Sequence, residues 1–266
     1  MNRQDFLKEA DRILAAAKEK KIELRLLGAL AMFTHSPKYG HLFETYGRNI
    51  TDLDFAASSK QKRQIVDLLG GLGAELDKQL AATAMGQNRS IFYFKDYHSD
   101  VFFDKLVFCQ IIDFSGRLTT DYPTLPLAEL FMEKMQIVKL NKKDITDTII
   151  LLMEHNVGDT DKDTVNIEYI AALCANDWPL YHTLTTNMRL IRDEFLNQYN
   201  ISDEEKKNVA EKISHMLDQI ENKPKSFGWK LRAKIGTKKP WYRDVEELVR
   251  ARDVEEKEQM RKDANE

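Results

Sequence analysis

Residues 50–55 read ITDLDF. Apolar and acidic residues alternate with the pitch of a β-strand, so Leu53 and Phe55 point to one side and Asp52 and Asp54 to the other. Two carboxylates side by side repel each other. The pairing becomes favourable when a divalent cation sits between them, because magnesium takes hard oxygen ligands from one or two carboxylates plus substrate phosphates. Two acids on a strand end are also common as plain solvated residues, so the surrounding sequence has to decide.

Ahead of this run, Phe6, Leu7, Ala10, Ile13, Leu14 and Ala17 recur at helical spacing. Residues 22–27 read as a short apolar strand, and Gly28 turns the chain into a small-residue helix over 29–33. A loop follows, and beyond ITDLDF either Ser58 or Ser59 caps a helix that ends at Gly70 and Gly71. RSIFYF (89–94) and SDVFF (99–103), separated by turn residues, fit a hairpin. Asp100 and Asp104 share a face at strand spacing, and the hairpin would bring Asp100 beside the Asp52–Asp54 pair. Residues 105–120 fit a strand or a short helix.

Pro123 and Pro126 mark a boundary, after which the pattern is helical. Leu127, Leu130, Phe131, Met135 and Val138 make one apolar face. Asn141 caps the next helix with Asp144 three residues on, and further helices are expected over 166–174, 179–199 and 203–221. The expected fold class is α/β (α+β): a mixed sheet domain over 1–120, a helical domain over 121–222, and a basic, aromatic extension over 223–266. The charged final ten residues are expected to fray.

The chain has 266 residues, 42% of them apolar, and a formal net charge of -3. That balance gives no global reason to expect nucleic acid or an anionic membrane as partner. No apolar run approaches membrane-spanning length, and the N-terminus lacks the apolar core of a signal peptide. Cys109 and Cys174 are isolated and show no metal-ligand spacing, which points to a cytoplasmic protein; the six histidines are scattered.

In order along the chain come a strand ending in a small-residue turn (LLGALA), DLD, an acid opening an apolar strand (Asp100), and the helical stretch EKMQIVKLNKKDITD. Over roughly residues 20–155 this resembles the nucleotidyltransferase superfamily. It is most similar to the AbiEii-like branch, the toxins of abortive-infection and type IV toxin–antitoxin systems. The resemblance implies a nucleotidyltransferase-like fold and transfer of NMP from an NTP, using Mg²⁺ or Mn²⁺. It also implies a partner antitoxin protein, and an acceptor that is an RNA, a protein or a small molecule. It places metal binding and catalysis on Asp52, Asp54 and Asp100, and phosphate contacts on Gly28 and Ala29. Lys134, Lys143, Asp144 and Asp147 fall on its helical motif.

Two positions depart from the family pattern. Ala29 stands where the family has a second Gly or Ser, and the interval from Gly28 to Asp52 is longer. Arg48 is placed either to reach a phosphate or to lie on the surface. Lys134 sits on an apolar helical stripe, so its ammonium is expected to emerge at an edge, toward an acid such as Asp147 or toward nucleotide phosphate. Lys143 and Asp147 have the spacing of a helix-surface ion pair. A fold-retaining module that binds nucleotide, RNA or protein without catalysis is the competing reading. Between Lys223 and Arg243 stand eight basic residues and no acid, interleaved with Phe227, Trp229, Trp241 and Tyr242. Packing of this stretch onto the helices is favoured over single-stranded nucleic-acid binding.

Overall fold

A computed structural model describes residues 1–244. Helix α1 (Arg3–Glu19) starts at a capping box: the Asn2 side chain accepts from the Asp5 amide, and the Asp5 carboxylate accepts from the Asn2 amide. Its apolar stripe buries Phe6, Ala10, Ile13, Leu14 and Ala17. Strand β1 (Leu24–Leu27) runs directly into α2 (Gly28–Thr34), and α3 (His41–Thr45) lies in the loop before β2 (Leu53–Ala57). Then come α4 (Lys62–Gly71), β3 (Glu75–Leu76), α5 (Lys78–Ala81), β4 (Arg89–Tyr93) and β5 (His98–Phe103).

These strands form a sheet in the order β1-β2-β5-β4-β3. Strands β2 and β5 are parallel at its centre, and the other neighbours are antiparallel. The expected hairpin is β4 with β5, and its second strand lies beside the DLD strand as anticipated. Residues 105–120 settle as a second hairpin, β6 (Lys105–Val107) with β7 (Ile111–Asp113). The Pro123–Pro126 boundary is also a structural edge: Leu26 N–H donates to Pro123 O and Leu125 N–H to Leu26 O, adding a rung to β1.

The helical part comprises α6 (Leu127–Met135), α7 (Lys142–Glu154), α8 (Ile167–Cys174), α9 (Trp178–Leu190), α10 (Asp203–Asn222) and α11 (Phe227–Ile235). A small parallel pair, β8 (Asn156–Gly158) with β9 (Thr164–Asn166), interrupts it. Two expectations need correction. Helix α6 is buried on every side rather than along one face, and it stops at Met135, so Val138 is not on it. The Asn187 amide donates to the carbonyls of Met135 and Ile137, 2.8 Å each, and satisfies the chain where the helix ends. The helix expected over 179–199 leaves α geometry after Leu190 and finishes as a π turn and a 3-10 turn.

One apolar core runs through the sheet and the helices, and α2 touches β1, β2, α6 and α7. Part of the basic stretch packs down: Trp229 meets Tyr181 edge-on, Arg232 lies over Trp178, and Trp241 meets His182, while Phe227, Leu231 and Ile235 stay exposed. The remainder of the extension, including the final ten residues, lies outside the described residues. Among the described residues no helix is long and apolar enough to cross a membrane.

Helix α6 buries Glu129 completely, and the carboxylate takes two hydrogen bonds from Arg117, which also clamps Asp161. Removing one partner of such a buried pair strands the other charge, which typically costs 3–5 kcal/mol. Arg117→Ala is therefore expected to lower unfolding free energy by roughly 3 kcal/mol or more. A urea titration that shows less than about 1 kcal/mol of loss would refute this role for the clamp.

Candidate active site

Asp54 and Asp100 are direct partners in the parallel register of β2 and β5. Asp52 lies just before β2, where its carboxylate stands 3.3 Å from His98 Nε2 at the start of β5. Two of the three acids, Asp54 and Asp100, thus pair at the centre of the sheet, and Asp52 stands just outside it. Asp104 does not join them: it follows β5 with φ of 61°, and its carboxylate accepts from the Ser59 amide.

Gly28 has φ of 70° and lies against Asp54, so a Cβ there would fall 2.2 Å from Asp54 Oδ2. Only glycine fits both the backbone conformation and the contact. Its amide donates to Glu133 Oε2 at 3.1 Å, so a carboxylate already faces the turn that was expected to cradle phosphate. Ala29 and Arg48 line a cavity of about 380 Å³ together with Arg3 and Asn49.

Behind the acids lies a buried ion network. Lys134 Nζ donates to Glu133 Oε1 at 2.6 Å and stands 3.4 Å from Asp147 Oδ2. Its ammonium does not emerge at an edge. The residue is 6% exposed, because α6 is enclosed on all sides and the charge must find its partners inside. Arg48 is neither a surface residue nor turned to an open phosphate site: it binds Asp147 through two hydrogen bonds of 2.8 and 3.0 Å. Asp147 is wholly buried and engaged by these two cations, while Lys143 is exposed, so the expected surface pair between Lys143 and Asp147 is absent.

Electrostatics follow from this crowding. Burial pushes the Asp54 carboxyl well above the usual carboxylate range, and Asp52, Asp100 and Glu133 push the same way while Lys134 opposes them. Burial works to depress the Lys134 ammonium, but Glu133, Asp147 and Asp144 outweigh it and hold the pKa above its ordinary value. Asp144 caps nothing with its side chain, and burial raises its pKa to about 6. Arg89 Nη2 donates to Asp100 Oδ2 at 2.5 Å. As they stand, no three of the described acids, histidines or cysteines converge tightly enough to hold a metal ion. The donor set nonetheless suits one: hard carboxylate oxygens whose mutual repulsion, expressed in the raised Asp54, a divalent cation would relieve.

No family model matches the chain, and no curated protein is significantly similar to it.

Three residues escaped the sequence reading. Glu133 sits beside Lys134 in EKMQ, a glutamate at an otherwise apolar helical position, and that anomaly was its signal. His98 has the same two-residue spacing to Asp100 that Asp52 has to Asp54, so the pattern was legible once the strands were known to be parallel. Arg89 carries no local signal; it reaches Asp100 from the neighbouring strand β4, opposite Phe102 in the register.

Two outcomes test this description. Gly28→Ala is expected to destabilise the fold by at least about 1 kcal/mol, from the left-handed backbone alone, with the displacement of Asp54 in addition; a denaturation curve superimposed on wild type would contradict the contact. For Asp144, the folded-state pKa near 6 lies above the usual 3.8. Stability tied to this group is therefore full below about pH 4 and lost as pH rises through about 6. Asp144→Asn should match wild type near pH 4 and exceed it by up to about 3 kcal/mol above pH 7, two pKa units at 1.36 kcal/mol each. Equal pH profiles for the two proteins would rule this out.

Proposed function

We propose that this protein is a metal-dependent nucleotidyltransferase that moves NMP from an NTP to an acceptor hydroxyl. The observation that carries the reading is the in-register pairing of Asp54 with Asp100 on adjacent parallel strands. Asp52 stands next to them, and glycine alone fits against Asp54. Asp52, Asp54 and Asp100 would hold magnesium or manganese. Bound there, the cation would neutralise the triphosphate and polarise the α-phosphorus.

The chain's own groups supply the rest. One of the carboxylates takes the proton of the acceptor hydroxyl, whose oxygen bonds to the α-phosphorus as the bond to the bridging oxygen breaks and pyrophosphate leaves. The cavity lined by Ala29 and Arg3 is where the triphosphate would lie. Lys134 and Arg48 act from behind: by fixing Asp147 and Glu133 they hold α6 and the loop before β2 against the sheet, so the carboxylates stay aligned. The resemblance to AbiEii-like toxins supports the same reaction, and an antitoxin partner belongs with it.

Two observations favour a second reading, a nucleotide-binding module without turnover: the Arg89 pair on Asp100 and the Glu133 carboxylate on the Gly28 amide. Turnover separates the readings. With α-labelled NTPs, Mg²⁺ or Mn²⁺, and a mixed pool of RNA and lysate, wild type is expected to transfer label. Asp54→Ala should lose transfer at least a hundredfold while keeping its circular dichroism and melting cooperativity, a loss of about 2.7 kcal/mol in transition-state stabilisation. Equal transfer by the variant would remove the acids from the chemistry, and binding without transfer by wild type would favour the module.

A further inference from the structure

A second cavity, of about 420 Å³, is lined by Phe108, Cys109, Glu133, Asn141, Asp144 and Tyr242 among others. Its wall includes Glu133, whose carboxylate accepts from the Gly28 amide next to Asp54. Its size is that of a small-molecule site.

Three features of the lining point to a ligand. The first is Asp144: the residue is nine-tenths buried, and its Oδ2 has no hydrogen-bond partner among the described residues. A buried acceptor left unmatched costs about 1–3 kcal/mol, and native proteins tolerate few of them. The second is Asn141. Its side-chain oxygen is committed to the Lys143 and Asp144 amides, which leaves its NH₂ as a donor.

The third is the strap that carries Tyr242. Gln110 Nε2 donates to Trp241 O and Arg243 N–H donates to Cys109 O, both at 3.1 Å. The basic, aromatic stretch is thus pinned to the turn between β6 and β7 on both sides of Tyr242. Phe108, also in the lining, is held edge-on against Phe102 of β5, the strand of Asp100.

We propose that this cavity receives the base of the nucleotide and prefers bases that carry an exocyclic amino group. The inference rests on the nucleotidyltransferase reading and names the substrate feature read beside that site. Phe108 and Tyr242 supply aromatic surface for a ring, and stacking of a base on an aromatic side chain is worth about 1–3 kcal/mol. The Asp144 carboxylate accepts from the amino group of adenine, cytosine or guanine. Uracil offers one N–H flanked by two carbonyl oxygens, which a carboxylate repels.

Calorimetry on the full chain at pH 7.5 with Mg²⁺ tests this, using ATP, CTP, GTP, UTP and inorganic tripolyphosphate as probes. Wild type is expected to bind UTP at least tenfold more weakly than its best amino-bearing NTP. Asp144→Asn, nearly isosteric, should close that gap to within threefold and leave tripolyphosphate binding unchanged. Tyr242→Ala should weaken the best NTP roughly tenfold, again with tripolyphosphate unchanged, and melting curves confirm that both variants fold. Four NTPs bound equally by wild type, or selectivity unmoved in Asp144→Asn, would overturn the base site while leaving the nucleotidyltransferase reading intact. If neither NTP nor tripolyphosphate binds, the nucleotide reading fails and the base site falls with it.

Discussion

Asp147 has no exposure to water and carries a charge that must be met inside the protein. It is met from two directions: by Arg48, from the loop that feeds β2, and by Lys134, from α6. A fork of two hydrogen bonds fixes the guanidinium in angle as well as distance, which a lysine in place of Arg48 would not do. The clamp joins the sheet to the helices at the point where the acidic strand begins. Lys134 then passes the constraint to Glu133, Glu133 to the Gly28 amide, and Gly28 to Asp54 by direct contact. Alignment of the acids therefore depends on a charge pair some distance behind them.

Stability alone does not account for this arrangement. Well-packed apolar groups often stabilise a core as much as a buried ion pair does, because desolvation offsets much of the Coulombic gain. Asp54 is crowded by like charges, and Asp144 is buried with an unmatched oxygen. Both are the kind of local cost that clusters at functional sites rather than in structural cores.

The chain's α/β character was legible because its signals are short-range. Capping at Asn141, glycines closing α4 and alternation around ITDLDF each act within a few residues. The approach of Asp100 to the DLD strand was legible from strand pitch and the hairpin. The fate of Arg48, Lys134 and Asp147 was not legible, because helical spacing says which residues share a face but not whether that face meets solvent. Helix α6 differs from expectation for the same reason: its spacing shows one apolar face, and long-range partners such as Arg117 allow its charged residues to sit inside. Arg89 was invisible because its partner is set by pairing between strands, which no local pattern encodes.

The order in which the contacts occur along the chain has a consequence for synthesis. The Gly28 amide and Glu133 are 105 residues apart, and Arg48 and Asp147 are 99 apart. The strands that bear the three acids are complete by Phe103, yet the parts that lock them arrive only with α6 and α7. A ribosome-bound chain that has released the sheet but not α7 holds the acids without their clamp, with loop closure still to be met. The site thus comes into being late in translation, as the helices dock, and incomplete products carry its sequence motif without its geometry.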